Sequence, residues 1–289
     1  LPHVMTERAF ALKGGSAINL FVRRCPRISV DIDLTYVPIK PRDESLDEIS
    51  SALRGLSQRL ERVVPGVKVQ EKEVGGRASA LLVTTGAETV KVEPNVVLRG
   101  TVFPTEEREL HPEAKELLAP EAFVSVTTLS FEELYAGKIC AALDRQHPRD
   151  LFDIKVLMEN EGITDGVRKA FVVYLASHSR PMHELLAPHL KDIRHVFVRE
   201  FAGMTPVPVS CEELIRTRET LVSYLRENLS MDQGRFLVSL KSGEPEWNLL
   251  GIDGVEHLPA LQWKLLNIER MDEAKRSEAL DRLKRVLGM

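Results

Sequence analysis

The sequence predicts an α+β protein in which a strand-rich N-terminal part, residues 1–128, precedes a mainly helical C-terminal part, residues 129–289. Segments that alternate polar and apolar residues, as half-buried strands do, lie before residue 100, whereas apolar residues recur at helical spacing in the second half. The chain has 289 residues, 43% of them hydrophobic, and so can bury a substantial core in one or two domains.

The first predicted strand carries two carboxylates. Apolar and polar residues alternate strictly from Ile28 to Tyr36, and Asp31 and Asp33 lie two positions apart within this segment. In a strand their side chains share one face while the apolar residues enter the core. Neighbouring carboxylates repel each other, and hard divalent cations prefer such oxygen ligands. The pair indicates a metal-assisted phosphoryl or nucleotidyl transfer site, although alone it also fits a solvated strand face without metal.

A turn of small residues precedes this strand. Gly14 and Gly15 permit backbone conformations closed to other residues, Ser16 adds a hydroxyl, and residues 17–21 read as the start of a helix. Exposed amides at a helix start bind anions. We therefore expect a phosphate-binding turn followed by a carboxylate pair, which suits an enzyme that acts on a metal-bound nucleotide.

Alternation and helical spacing predict the next elements of the N-terminal part. These are a helix at residues 45–63 and strands at residues 67–73, 78–85 and 88–97. In the last strand Val90 and Val92 share one face, which places Lys91 and Glu93 on the opposite face.

A charged residue lies on the apolar stripe of the next predicted helix. Ser130 and Glu133 have the spacing of a capping box and predict a helix that runs to about Leu143. Lys138 falls on the apolar face of this helix, where an unpaired ammonium is costly. Phosphate binding would give it a partner. The alternative is a lysine at the edge of the core whose ammonium reaches solvent.

A second helix follows a His147-Pro148 turn and carries Asp150 and Asp153 on one face. We expect Lys138 and Asp153 to be able to meet across these adjacent helices. Later helices are predicted at residues 167–177, 182–198, 211–229, 258–271 and 274–287. Residues 204–208 read as a linker, and residues 231–254 as a hairpin or an irregular crossover.

Composition limits the function classes. The net charge of −4 gives no sign of nucleic-acid binding, so any such contact requires a local patch. Arg23, Arg24 and Arg27 are the candidates for that patch, or else they are solvated loop residues. Three widely spaced cysteines disfavour disulfides and zinc, and no apolar run of about 18 residues indicates a membrane span. We therefore expect a cytoplasmic protein that does not enter a membrane.

The glycine turn with its D-x-D motif resembles the polymerase-β-like nucleotidyltransferases, and more closely the AbiEii abortive-infection toxins. Two blocks carry the resemblance in order, Leu12–Ile18 with Arg27–Leu34 and then Glu133–Leu143 with Arg149–Ile154. A weaker match lies at Pro259–Asn267. The resemblance spans most of the chain and implies a nucleotidyltransferase-like N-terminal mixed sheet with helices. The chain departs from the pattern in a slightly longer gap between turn and D-x-D, and in a short segment before the turn.

The resemblance also implies a function and a site. Related toxins add nucleotides from NTP to the 3′ acceptor end of tRNA and so block translation, with Mg²⁺ as cofactor and an AbiEi-like antitoxin as partner. Such enzymes usually carry a third carboxylate on a later strand, and Glu93 is the candidate for it. The alternative is that Glu93 only faces solvent. The residues implied for catalysis are Asp31, Asp33, Lys138 and Asp153; for the nucleotide, Gly15, Ser16 and Lys138; and for metal, Asp31, Asp33 and Glu93.

Two other functions fit the same residues. The acceptor could be a small molecule or a protein hydroxyl, because the glycine turn and the D-x-D motif do not determine the acceptor. The protein could also bind nucleotide without catalysing transfer, a reading favoured by the long gap between turn and strand.

Overall fold

The computed structural model of the chain describes residues 1–29, 31–118 and 124–289, and it divides into two compact units, Leu1–Ser130 and Phe131–Met289. The predicted α+β class is confirmed. The described strands form one mixed sheet in the first unit, and the second unit is built from helices.

The described strands of the sheet number seven and follow the order β3-β4-β5-β2-β1-β7-β6. They are β1 Phe10–Lys13, β2 Ile32–Tyr36, β3 Lys68–Val74, β4 Arg77–Thr85, β5 Glu88–Asn95, β6 Glu106–Glu109 and β7 Ser125–Thr128. Central β2 pairs antiparallel with β1 and parallel with β5. The sequence predicted β3, β4 and β5 to within two residues at each end. It missed β1, β6 and β7, each four residues long, because so short a segment shows no clear alternation.

The strand predicted from Ile28 to Tyr36 is shorter than expected, because it begins only at Ile32. Its partner β1 ends at Lys13, opposite Asp33, where the chain turns away at Gly14. Val30, within the predicted strand, lies outside the described residues. Ile28 is exposed rather than in the core. Asp31 therefore directly precedes β2 instead of lying within it.

Three helices lie in the described residues of the first unit: α1 Gly14–Ala17, α2 Arg42–Val63 and α3 Pro112–Leu118. The helix predicted at residues 17–21 begins earlier, at Gly14, and continues as a π-helical segment through Ile18–Val22. The long helix α2 packs against β3 and β4. It does so through apolar side chains at helical spacing, Ile49, Leu53, Leu56 and Leu60.

The second unit, described throughout residues 131–289, contains nine α-helices: α4 Phe131–Asp144, α5 Pro148–Glu159, α6 Asp165–Ser177, α7 Met182–Leu186, α8 Arg194–Glu200, α9 Cys211–Asn228, α10 Met231–Ser242, α11 Pro259–Glu269 and α12 Glu273–Leu287. Helix α4 packs against α5 and α6, and α5 also packs against α9. Apolar residues at these contacts form the core of the unit, among them Leu134, Ile139, Ile154, Phe171 and Leu221.

Two predictions in the second unit are wrong. The single helix expected at residues 182–198 is broken into α7 and α8, since Pro188 offers no backbone amide to continue α7. The hairpin or crossover expected after residue 231 begins instead with a regular helix, α10. Ser230 and Gln233 form a capping box at its start, and Gly243 ends it with φ of 94°.

No helix among the described residues is both long enough and apolar enough to cross a membrane.

Candidate active site

The glycine turn packs against one of the two predicted carboxylates. Gly14 has φ of +72°, in the left-handed region, and directly follows β1. A Cβ atom at Gly14 would lie 2.5 Å from Oδ2 of Asp33, closer than real Cβ contacts come. Lys13 and Asp33 are also directly opposite each other in the β1–β2 ladder. Only glycine therefore allows the backbone to approach the Asp33 carboxylate this closely.

The next two turn residues bind the segment that leads into β2. A Cβ at Gly15 would lie 2.6 Å from Oγ of Ser29 and 2.8 Å from Nη2 of Arg27. The hydroxyl of Ser16 is buried, donates to the carbonyl oxygen of Asp31 and lies 3.3 Å from Oγ of Ser29. In this structure the Ser16 hydroxyl thus fixes the backbone of the D-x-D motif.

Asp33 and Glu93 are neighbours across the sheet. They are directly paired in the parallel β2–β5 register, in which adjacent strands lie about 4.8 Å apart. Both side chains line a cavity of about 250 Å³, together with Lys13, Pro94, Asn95 and Val96. Nζ of Lys91 lies 2.6 Å from Oε2 of Glu93, so a cation already partly offsets the charge of this pair.

Asp31 takes a different position. Its side chain is exposed, and it is not among the described residues that line the cavity shared by Asp33 and Glu93. The sequence placed Asp31 and Asp33 side by side on one strand. The structure instead pairs Asp33 with Glu93 across two strands, while Asp31 lies just before β2.

Within residues 1–29, 31–118 and 124–289, no three histidine, cysteine, aspartate or glutamate side chains are arranged to hold a metal ion. The chemistry of Asp33 and Glu93 nevertheless fits Mg²⁺. This ion takes hard oxygen ligands and is usually held by one or two carboxylates together with substrate phosphates and waters, rather than by a cage made only of protein. The two carboxylates on one cavity wall match that mode of binding.

A second cluster of charges lies inside the helical unit. Nζ of Lys138 is 2.9 Å from Oδ1 of Asp150 and 3.0 Å from Oδ2 of Asp153. All three side chains are buried, at 8%, 0% and 1% exposure. The predicted meeting of Lys138 with Asp153 across two helices is confirmed, since the pair joins α4 to α5.

The sequence reasoning missed two members of this cluster. Asp150 was recognised on the same face as Asp153 but not as a partner of Lys138. Arg145, directly after α4, donates from Nε to Oδ2 of Asp150 at 2.5 Å and from Nη2 to Oδ1 at 2.9 Å. The sequence did contain a signal for this contact: Arg145 is a basic residue near the C-terminus of a helix, five positions before Asp150.

The cations determine the ionisation of Asp150. Burial alone would raise the pKa of its carboxyl, but the Lys138 ammonium and the Arg145 guanidinium hold the pKa well below its usual range. Asp150 is therefore an anion at neutral pH, and its charge holds the Lys138 ammonium in place on α4.

The three arginines before the D-x-D motif do not form one exposed patch. Arg27 is buried at 2% exposure and donates to the carbonyl oxygen of Ile28 at 2.9 Å. Arg24 is exposed, with Nε 3.8 Å from Oε1 of Glu113. The expectation of an arginine patch is wrong for Arg27, which packs against the turn at Gly15.

Comparison with known proteins identifies a family and a similar fold. The sequence model of the family described as nucleotidyl transferase AbiEii toxin, type IV TA system, matches residues 1–266. The fold is similar to that of MenT4, a nucleotidyltransferase toxin from Mycobacterium tuberculosis H37Rv, with a TM-score of 0.61 and 16% sequence identity. The match covers 99% of this chain and 90% of that one. No curated protein sequence matches the chain.

The family match spans most of the chain, whereas the likeness to MenT4, at 16% identity, shows the fold alone. Nucleotidyltransferases take an NTP as substrate and generally use a divalent metal, and a toxin–antitoxin system implies an antitoxin as partner. The chain therefore belongs to the AbiEii family of nucleotidyltransferase toxins, the toxin components of type IV toxin–antitoxin systems.

Proposed function

We propose that the protein transfers a nucleoside monophosphate from an NTP to the 3′ acceptor end of tRNA and so blocks translation in the cytoplasm. The observation that carries the proposal is the pairing of Asp33 with Glu93 on one cavity wall, beside the backbone of Gly14. We further propose that a cognate AbiEi-like antitoxin opposes this activity.

The carboxylates are proposed to hold Mg²⁺. Asp33 and Glu93 would be the main ligands because they share the cavity, and exposed Asp31 would add a third carboxylate from the segment before β2. When bound, the metal supplies positive charge that stabilises the leaving pyrophosphate and favours loss of a proton from the attacking hydroxyl. Binding of the metal to Glu93 would break the ion pair between Glu93 and Lys91.

The glycine turn and the buried lysine are proposed to bind the nucleotide. Gly15 and Ser16 would present backbone amides to phosphate oxygens, while the Ser16 hydroxyl holds the D-x-D backbone in place. Lys138 would act as a point charge toward phosphate. Asp153 is buried and 3.0 Å from the ammonium, which favours a role in orienting Lys138 over a role as base toward the acceptor.

The acceptor is tested by incubating the purified protein with each of the four α-labelled NTPs, Mg²⁺ and total tRNA. In a parallel reaction the tRNA is first oxidised with periodate, which destroys the terminal ribose diol. We expect label in intact tRNA and none in oxidised tRNA, because only the 3′ end offers the attacking hydroxyl.

Label in oxidised tRNA as strong as in intact tRNA would contradict transfer to the 3′ end. Label that enters only protein or small molecules would contradict tRNA as acceptor while leaving the transferase chemistry intact. An absence of label everywhere, with bound NTP detected by equilibrium dialysis, would instead indicate a nucleotide-binding protein without transfer activity.

A further inference from the structure

A small cavity in the helical unit is lined by basic side chains that the proposed chemistry does not use. His183 on α7, Lys241 on α10 and Lys264 on α11 line it together with apolar Met182, Ala279 and Leu283. Its volume is about 20 Å³, which holds about one water-sized oxygen. Three separate helices thus each contribute one basic residue to the lining of a space that one oxygen atom fills.

The two lysines have no acidic partner in the part of the chain that the structure describes. Lys241 is buried at 9% exposure, and its ammonium contacts Sδ of Met271, at 3.8 Å. The Lys264 ammonium donates to the carbonyl oxygen of His178 at 2.6 Å. Lys264 is half-buried. Neither a thioether nor one carbonyl supplies a negative charge, so neither ammonium has a counter-charge.

Acids close to the cavity are already engaged by other cations. Glu184, adjacent to His183, lies 3.1 Å from Nη2 of Arg180. Glu278 on α12 lies 2.5 Å from Nη2 of Arg282. Either carboxylate could therefore neutralise a lysine of the cavity only by breaking an existing ion pair.

The charges affect one another. Burial lowers the pKa of Lys264 to about 8, and repulsion from the Lys241 ammonium acts in the same direction. Burial also lowers the pKa of Lys241 and of His183. At His183 the Glu184 carboxylate acts in the opposite direction, whereas Arg282 and Lys241 act in the same direction as burial. An external anion would remove this repulsion, since each of the three groups would gain a counter-charge.

We propose that His183, Lys241 and Lys264 form a phosphate-binding site, in which a phosphate oxygen enters the cavity and supplies a counter-charge to the two lysines. A phosphate offers several acceptor oxygens and up to two charges, which suits three basic residues around one cavity better than a single carboxylate does. The small volume admits one oxygen, so the remainder of the ligand lies outside, toward the exposed rim at Pro181. The site goes beyond the proposed transfer reaction.

The test measures amine acylation by mass spectrometry with the full-length protein, with and without inorganic phosphate at fixed ionic strength. Phosphate should reduce labelling of Lys264 several-fold, while exposed Lys275 on α12 is labelled equally in both samples. Lys241→Met should abolish the protection of Lys264. The matched control Lys275→Met, which removes an exposed charge from the same unit, should retain it.

The source of the phosphate is distinguished by binding of a fluorescent RNA 12-mer, measured by anisotropy. Weakening of about tenfold in Lys241→Met relative to Lys275→Met, as expected for loss of one charge-assisted contact, would support a nucleic-acid phosphate. Equal RNA binding together with protection by inorganic phosphate would support a small phosphorylated ligand. If inorganic phosphate does not protect Lys264, or protection persists in Lys241→Met, the site does not exist. Should Lys241→Met fail to fold, His183→Gln serves as the second variant with the same expectations.

Discussion

At the scale of single residues, the close contact between Gly14 and Asp33 makes a quantitative prediction. Gly14→Ala places a Cβ 2.5 Å from the Asp33 carboxylate and also forces a non-glycine residue to φ of +72°. Gly66 has the same φ, and a Cβ there would meet no atom within 4 Å, so Gly66→Ala isolates the backbone cost, about 1–2 kcal/mol. We expect Gly14→Ala to lose more stability than Gly66→Ala in urea unfolding and to lose nucleotidyl transfer as well. Equal stability losses and full activity would show that the contact with Asp33 is unimportant.

Lys138 is predicted to be important for stability as well as for activity. Lys138→Met removes the ammonium beside the buried carboxylate of Asp153 and takes away one of the two cations that contact Asp150. Removal of one partner from a buried ion pair typically costs about 3–5 kcal/mol. Lys275→Met, at an exposed position, should cost almost nothing in the same urea titration. A Lys138→Met protein as stable as wild type would contradict the buried network.

The lowered pKa of Asp150 predicts a dependence of stability on acid. Because the folded-state pKa lies below the ordinary value of 3.8, the ionised carboxylate stabilises the fold fully above that value. The stabilisation is lost as the pH falls below it. Between about pH 5 and pH 2, the unfolding free energy of wild type should therefore fall more steeply than that of Asp150→Asn. Parallel curves for the two proteins would contradict the assignment.

At the scale of elements, sequence periodicity predicted α2, β3, β4, β5 and α5 but not the short strands. A strand of four residues, such as β1, is fixed by its pairing with β2 and β7 rather than by its own alternation. For the same reason the D-x-D strand was predicted too long. The alternation of polar and apolar residues begins at Ile28, but β1 pairs only with residues from Asp33 to Tyr36. Long-range pairing, which a single sequence does not reveal, decides these boundaries.

Helix α10 shows that a local signal can outweigh an apparent breaker. Gly234 lies inside the helix, yet the capping box of Ser230 with Gln233 and the buried Phe236 and Leu240 stabilise it. Ser230→Ala should lower the unfolding free energy by about 1 kcal/mol, because the amide of Gln233 loses its acceptor. Exposed Ser223, within α9, is the control, and Ser223→Ala should change stability little. Equal effects in the two variants, measured by thermal unfolding, would show that the cap does not stabilise α10.

The individual residues of the candidate site were predicted from the sequence, but their arrangement in space was not. The glycine turn, Asp33, Glu93 and the pair of Lys138 with Asp153 were all identified from the sequence, through local patterns and the family resemblance together. The pairing of Asp33 with Glu93 depends on the order of strands, which places β2 next to β5. The sequence contained no signal for that order apart from the family resemblance.

At the scale of the whole molecule, we predict toxicity that depends on catalysis. Induced expression in bacteria should stop growth and the incorporation of labelled methionine, and coexpression of the cognate antitoxin should restore both. Asp33→Asn should be harmless, whereas Glu88→Gln, an exposed carboxylate on β5, should remain toxic. Growth arrest by Asp33→Asn at equal protein levels would mean that toxicity does not require the carboxylate.

The pairing of Asp33 with Glu93 is tested most directly by the rate of nucleotidyl transfer to tRNA in Glu93→Gln compared with Glu88→Gln. Both variants neutralise a glutamate of β5, but only Glu93 shares the cavity with Asp33. Loss of a metal-binding carboxylate removes several kcal/mol of transition-state stabilisation, which corresponds to a rate reduced about a hundredfold or more. We predict that reduction in Glu93→Gln and a rate close to wild type in Glu88→Gln. Equal rates in the two variants would contradict the assignment of Asp33 and Glu93 as the catalytic pair.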